Sequence, residues 1–321
     1  MGTEENRSVD LSQYNFTRLA NNYLQKTRGE FTTQDIDLIN GYITYVLKEE
    51  HKSLKKYKVG VMMVCINSPY WQYAKPVIDG IKSLFLPGHD TEIMMWSDMG
   101  QYPEAKDVNY GATIFPTESV QWPYPTLMRY HLFLEQEEYL KKFDYLFYID
   151  LDMRIVGIVG DEILGQGLTA AEHPMYSLRP NLIPPYEPNP SSACFINRPG
   201  KIVDENGKPR FKPYYYAGGF QGGTTPEFIE AMKKTRDLID VDMANGYIPI
   251  WNDESAWNKY LSENPPAVVL SPAYIYPDSM IQDYYVKVWG RDYVPKIITI
   301  TKPFSTSKEG GTAAQAMTQN M

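Results

Sequence analysis

Asp150 and Asp152 stand two residues apart directly behind an unbroken apolar and aromatic run, Tyr145-Leu-Phe-Tyr-Ile149. Such a run suits a central strand buried on both faces. In an extended chain, residues i and i+2 leave the same side. Both carboxylates therefore emerge together at the carboxyl end of the strand, where open α/β sheets bind ligands. Carboxylates placed there are costly unless a cation or a hydrogen-bond network compensates them. Oxygen-only ligands suit Mn²⁺ or Mg²⁺, usually shared with substrate phosphates. An Asp-x-Asp pair by itself is often only a solvated turn. Asp240 and Asp242 have the same spacing within a helical pattern, where residues two apart point to different sides, so no shared ion is expected of them.

Three further groups of residues could do chemistry. Asp253 and Glu254 form a second carboxylate pair at an expected helix start, where simple capping and dipole pairing also account for them. The stretch Tyr214-Tyr-Tyr-Ala-Gly-Gly-Phe-Gln-Gly-Gly223 is rich in glycine, which lets backbone approach a ligand closely. It reads equally as a tight turn between strands. From Lys287 to Glu309 basic residues outnumber acidic ones, a local reversal in an acidic chain that suits an anion site or a solvated surface run. No Gly-rich phosphate loop occurs, which argues against dinucleotide and P-loop chemistry. A bound nucleotide would then need a metal and basic side chains for its phosphates.

The elements that position these residues read as an α/β domain. Residues 59–66 form a buried strand, 71–85 a helix containing Pro76, and 91–96 a second strand, the order that begins a nucleotide-binding sheet. Residues 125–142 read as one helix leading into the Tyr145–Ile149 strand. Residues 178–210 are a Pro- and Asn-rich excursion of the kind used for binding loops. Thr225-Pro226 opens a helix with Phe228, Ile229, Met232 and Leu238 on its buried face. Residues 1–57 form an N-terminal helical extension, with Ile36, Ile39, Tyr42, Ile43, Val46 and Leu47 at helical spacing. It would pack on the main body or on a second copy of the chain.

Composition narrows the function. A net charge of −8 makes a nucleic-acid partner unlike this chain. Two cysteines, Cys65 and Cys194, form no disulfide framework and fit a reducing compartment. No 18-residue apolar stretch and no apolar leader occur, so the expectation is a soluble, cytoplasmic protein without a membrane span. Aromatics at 14 %, with 26 tyrosines, suit stacking on sugars or bases as well as ordinary packing.

Together the motifs resemble glycosyltransferase family 6, which holds the ABO blood-group transferases and α-1,3-galactosyltransferases. They are Thr126-Leu-Met-Arg129, Asp144-Tyr-Leu with Asp150-Leu-Asp152-Met, His173-Pro174, Tyr215-Tyr-Ala-Gly-Gly-Phe with Gly222-Gly223, Trp251-Asn-Asp-Glu-Ser255, Asn258-Lys-Tyr-Leu261 and Leu270-Ser-Pro-Ala-Tyr274. They occur in the family's order over roughly residues 58 to 300. The resemblance implies a GT-A fold over 58–301 with a mobile tail over 302–321. It also implies retaining transfer of GalNAc or Gal from a UDP-sugar to the 3-hydroxyl of a galactoside, forming an α-1,3 link with Mn²⁺, or Mg²⁺ in its place.

By that resemblance Asp150 and Asp152 hold the metal against the UDP diphosphate, and Arg129 contacts the donor. Ala217, Gly218 and Gly219 face the donor sugar. Cys65, Ile66 and Tyr70 fall near the uracil, and Lys302 or Lys308 serves as a phosphate-binding cation of the tail. His173, Met175, Trp251 and Asn252 fall at the acceptor. Asp253 bonds sugar hydroxyls, and Glu254 stands by the anomeric carbon. Three positions depart from the family: Asn252 replaces its usual His, Met175 a small residue, and Pro277 an acidic one. The missing anchor and the retained aspartates resemble a soluble, metal-dependent microbial or viral member. A retaining GT-A enzyme of another family and a non-catalytic carbohydrate-binding module are the competing readings.

Overall fold

A computed structural model describes residues 56–67, 70–105, 109–177, 184–197, 215–278 and 295–301. All of them lie in the unit Ser53–Met321. The N-terminal extension, most of the basic 287–309 run, and Lys302 and Lys308 lie outside the described residues.

Seven strands form the main sheet in the order β3-β2-β1-β4-β7-β6-β8. They are β1 (Lys58–Cys65), β2 (Asp90–Ser97), β3 (Thr113–Pro116), β4 (Tyr145–Ile149), β6 (Leu168–Glu172), β7 (Tyr216–Thr224) and β8 (Val268–Leu270). β1 to β4 run parallel, β7 runs antiparallel to both β4 and β6, and β8 runs parallel to β6. A small second sheet joins β5 (Met153–Ile155), β10 (Ile297–Thr299) and β9 (Tyr276–Pro277). Mixed sheet and flanking helices give the α/β GT-A architecture the motifs implied.

β4 is buried along its whole length, as its unbroken apolar run requires. One apolar layer packs α1 (Ala74–Leu84) on the sheet through Val77, Ile78, Ile81 and Leu84, which recur at helical spacing. Pro76 sits in that helix's first turn, where its missing N–H breaks no helical hydrogen bond. The opposite layer holds Tyr130, Phe133, Phe228, Met232 and Trp257.

The expected single helix over 125–142 is three short pieces: α2 (Tyr124–Leu127), α3 (Arg129–Leu134) and α4 (Glu137–Leu140). Met128 (ψ 7°) and Gln136 (φ −109°, ψ 25°) leave helical geometry between them. The glycine-rich stretch is a strand, β7, and not a turn. At Gly222 a Cβ would come within 2.2 Å of Phe147 and 2.5 Å of the Leu146 carbonyl, so β4 and β7 meet only because the side chain is missing.

Pro174–Ser177 forms a one-turn helix, α5. Thr225 opens the long helix α6 (Thr225–Ala244), with Thr224 at the N-cap position. Asp253 opens α7 (Asp253–Glu263). Among the described residues no helix is long and apolar enough to cross a membrane.

Candidate active site

The sheet changes direction between β4 and β7, and the candidate residues collect there. β4 ends at Ile149, paired with Phe220 of β7, and the Asp150 N–H donates to the Gly219 carbonyl at 2.9 Å. Asp150 is thereby fixed beside the start of β7. The Tyr148 hydroxyl donates to Asp150 Oδ1. Arg129 Nη1 lies 3.5 Å from the same oxygen.

Arg129 is the hub of the cluster. It is 5 % exposed, lies with its guanidinium 4.3 Å from the centre of the Tyr148 ring, and places Nε 3.0 Å from Asp253 Oδ2. Burial alone would lower its pKa, but the facing Asp253, Tyr148 and Asp150 more than offset this and keep it charged. The sequence shows no cation next to Asp150 along the chain; folding supplies one from α3. Arg129, expected at the donor, bridges two carboxylates.

Asp253 is 1 % exposed. Burial raises its pKa to about 7 although Arg129 lowers it, because Asp150 and Glu254 add to the rise. The Arg129 Nε–H donates to the Thr126 carbonyl (3.2 Å), so Asp253 Oδ2 has the cation's charge nearby but, among the described residues, no hydrogen bond. A buried oxygen in that state fits a ligand hydroxyl. Asn252, with φ 52° and ψ −126°, makes the sharp turn that delivers Asp253 and Glu254 into the site. That backbone region is open mainly to glycine, and a residue held there costs of order 1–3 kcal/mol.

β7 bulges at this point. While β6 advances from Ala170 to Glu172, β7 advances from Gln221 to Tyr216, so the segment around Ala217, Gly218 and Gly219 stands out of register. Glu254 Oε2 accepts the Gly218 N–H at 2.7 Å. At Gly219 the space a side chain would fill holds Asp150 Oδ2 (2.6 Å), Met153 Cε (2.5 Å) and Ile275 Cδ1 (3.2 Å). Gly219 thus lets the strand close on the Asp150 carboxylate. Ala217 is buried.

On the other side of Glu254, its negative charge acts on His173, Tyr176 and Tyr215. Burial lowers the His173 pKa, with Glu254 opposing. His173 Nδ1 accepts the Met175 N–H at 3.2 Å, so the neutral ring carries its proton on Nε2. The Trp251 indole Nε1 is buried and has no hydrogen-bond partner among the described residues.

The remaining expected residues are spread more widely. Cys65 and Ile66 are buried at the end of β1, the Cys65 thiol pushed up to about 12 by burial, so they form wall rather than exposed lining. Tyr70 is partly exposed and packs against Tyr73. Lys296, from the basic run, pairs with Glu162 and lies near the Tyr274 ring, which makes it structural. Asp240 and Asp242 point apart as expected: Asp240 meets His131, while buried Asp242 accepts from Ser192 Oγ and the Ala193 N–H.

Several residues of the site were not legible beforehand. Tyr148, Tyr130, Gln221 and Asn258 all bond within it. Two signals existed. Gln221 is a lone amide in a strand otherwise apolar, and such a group needs a buried partner. Asn258 stands four residues after Glu254, on the same helical face.

Metal ligation fits a shared site. Among the described residues no cluster of three His, Cys, Asp or Glu surrounds a common point. A hard divalent cation at Asp150 and Asp152 would need further oxygens, from a ligand or from water, to complete its shell.

Known proteins resemble this chain along much of its length. The model of glycosyltransferase family 6 matches residues 37–297. The rat histo-blood group ABO system transferase 1 is 28 % identical over 243 residues, covering 74 % of this chain and 65 % of that protein. The human globoside alpha-1,3-N-acetylgalactosaminyltransferase 1 is 34 % identical over 148 residues, 46 % of this chain and 39 % of that protein. The Escherichia coli O-antigen biosynthesis glycosyltransferase WbnI is 25 % identical over 209 residues, 65 % of this chain and 83 % of that protein. The chain thus spans less than two thirds of the rat and human relatives. With the family model matching most of its length, the chain belongs to glycosyltransferase family 6.

Proposed function

We propose that the chain is a retaining hexosyltransferase that moves GalNAc, in preference to Gal, from a UDP-sugar to the 3-hydroxyl of a galactoside, forming an α-1,3 link. The observation that carries this reading is the Glu254 carboxylate, held at 2.7 Å by the Gly218 N–H in the bulge beside the Asp150–Arg129–Asp253 cluster. The name of the human relative supports GalNAc as the sugar.

In this reading Asp150 and Asp152 hold Mn²⁺ together with the UDP diphosphate. The bound ion supplies Lewis-acid stabilisation of the departing phosphate oxygens. The chain's own residues do the rest. As the bond from C1 to the diphosphate breaks, positive charge grows at C1, and Glu254 faces it with a fixed negative charge. Asp253 Oδ2, buried without a hydrogen bond among the described residues, accepts from a sugar hydroxyl. Arg129 keeps Asp150 and Asp253 from repelling one another. His173 Nε2–H and Trp251 Nε1–H donate to the acceptor and orient its 3-hydroxyl.

The preference for GalNAc rests on Ala217-Gly-Gly219, about as small as this triplet can be, beside the C2 substituent. A kcat/KM for UDP-Gal equal to or above that for UDP-GalNAc would overturn it.

Glu254→Gln tests the whole reading. It should retain UDP-GalNAc binding and lose transfer by roughly 100-fold or more, about 3 kcal/mol of transition-state stabilisation. A first-turn acid with only a helix-stabilising role would change stability by about 1 kcal/mol or less and leave turnover intact. Turnover and Tm measured on one preparation separate the two.

A further inference from the structure

The bulge in β7 takes backbone groups out of the sheet ladder. Gly218 has no register partner in either β4 or β6. A buried peptide in that position must find other partners. Here side chains supply them. Asn258 accepts the Tyr216 N–H at 2.8 Å through Oδ1 and donates to the Tyr216 carbonyl at 2.8 Å through Nδ2. Glu254 takes the Gly218 N–H. Gln221 Nε2 donates to the Gly218 carbonyl at 2.9 Å, with Arg129 Nη1 more distant at 3.4 Å.

Gln221 is fully buried, and its other end is fixed as well. The hydroxyl of Tyr130, itself without exposure, donates to Gln221 Oε1 at 2.7 Å. The amide therefore has one orientation, with NH₂ toward Gly218. The result is two hydrogen-bonded arms that meet at Gly218: Tyr130 and Gln221 hold its carbonyl, in the Gly218–Gly219 peptide, and Glu254 holds its N–H, in the Ala217–Gly218 peptide.

We propose that Gln221, oriented by Tyr130, is a positioning residue for Glu254: by holding the Gly218–Gly219 peptide it limits the backbone torsions at Gly218, whose N–H, in the preceding peptide, holds that carboxylate. The proposal rests on Glu254 being the catalytic carboxylate. Gln221 touches neither donor nor acceptor in this arrangement, and it acts only through Gly218. Its loss frees the Gly218–Gly219 peptide within the bulge, loosens the torsions at Gly218, and so lets the neighbouring N–H and the carboxylate it holds shift relative to the sugar. A displacement of that kind slows the chemical step while donor binding persists.

The test uses the full chain with UDP-GalNAc, Mn²⁺ and lactose, comparing Gln221→Met, Tyr130→Phe and the double variant. Gln221→Met keeps the volume and loses the amide; Tyr130→Phe loses only a hydroxyl and guards against a variant that fails to fold. Per folded molecule, kcat should fall about 10-fold or more in Gln221→Met and about 3-fold in Tyr130→Phe, with KM for UDP-GalNAc within about twofold. The double variant should be no slower than Gln221→Met, because Tyr130 acts through the residue already replaced.

A purely structural amide would lower Tm and leave kcat per folded molecule unchanged, and that result overturns the proposal. Losses that multiply in the double variant overturn it too. If Glu254→Gln abolishes transfer while Gln221→Met leaves kcat intact, this inference alone fails. If Glu254→Gln transfers at the wild-type rate, the functional reading beneath it fails.

Discussion

Replacing Gly219 by alanine adds one methyl group at the most crowded point of the site. The added Cβ would lie 2.6 Å from Asp150 Oδ2, 2.5 Å from Met153 Cε and 3.2 Å from Ile275 Cδ1. The Met153 thioether end is flexible and can withdraw. Asp150 cannot do so freely, because Tyr148 and Arg129 hold its other oxygen and its N–H is bonded to Gly219 itself. Overpacking of this size costs about 1–3 kcal/mol. If the displaced carboxylate absorbs that cost, apparent Mn²⁺ affinity should fall roughly 5- to 150-fold. The assay is UDP release titrated with Mn²⁺ at saturating UDP-GalNAc and again at saturating UDP-Gal. Both donors should show the same weakened metal response. A changed donor preference with an unchanged Mn²⁺ midpoint would refute the reasoning, placing the methyl against the sugar and not against Asp150.

Three further outcomes are expected. Asp150→Asn should lower turnover about 100-fold or more, and excess EDTA should abolish turnover of the wild type; full activity in EDTA refutes the metal requirement. Because burial lowers the His173 pKa below its unfolded value, the unfolded chain binds that proton first. Its contribution to stability is complete above about pH 6.5 and is lost as pH falls through the window down to the folded pKa, with a slope of at most about 1.4 kcal/mol per pH unit. Urea midpoints across pH 5–8 in wild type and His173→Gln should show that slope weakened in the variant. Asp242→Ala strands the Ser192 hydroxyl and the Ala193 N–H, and should destabilise the domain by about 1.5–3 kcal/mol by denaturant titration with donor KM unchanged.

Local pattern made the first ring of the site readable. Asp150 and Asp152 follow a strand identified by its apolar run, and Asp253 with Glu254 open a helix identified by its turn. Partners that depend on register were not readable. Nothing along the chain says that Gln221 reaches back to Gly218. That contact follows from β7 pairing in register with β4 while bulging against β6. Glu187 is a clearer case. It lies in a Pro-rich excursion without periodicity, yet it is buried and accepts from the Tyr247 hydroxyl at 2.7 Å and the Ile250 N–H at 2.8 Å, bracing the turn that leads to Trp251. Arg129 was found by resemblance, but its burial between two carboxylates required the three-piece helix, which the continuous pattern of 125–142 concealed.

The antiparallel seam between β4 and β7 also bears on how the protein acquires activity during folding. β1, β2 and β4 can pair with one another while the chain beyond residue 172 is still unfolded. Glu254 and Gly218 gain their positions only when β7 inserts beside β4, a second non-local pairing that must follow its synthesis and folding. In refolding, recovery of helical signal should precede recovery of donor binding, and the interval between them times the closure of that single seam.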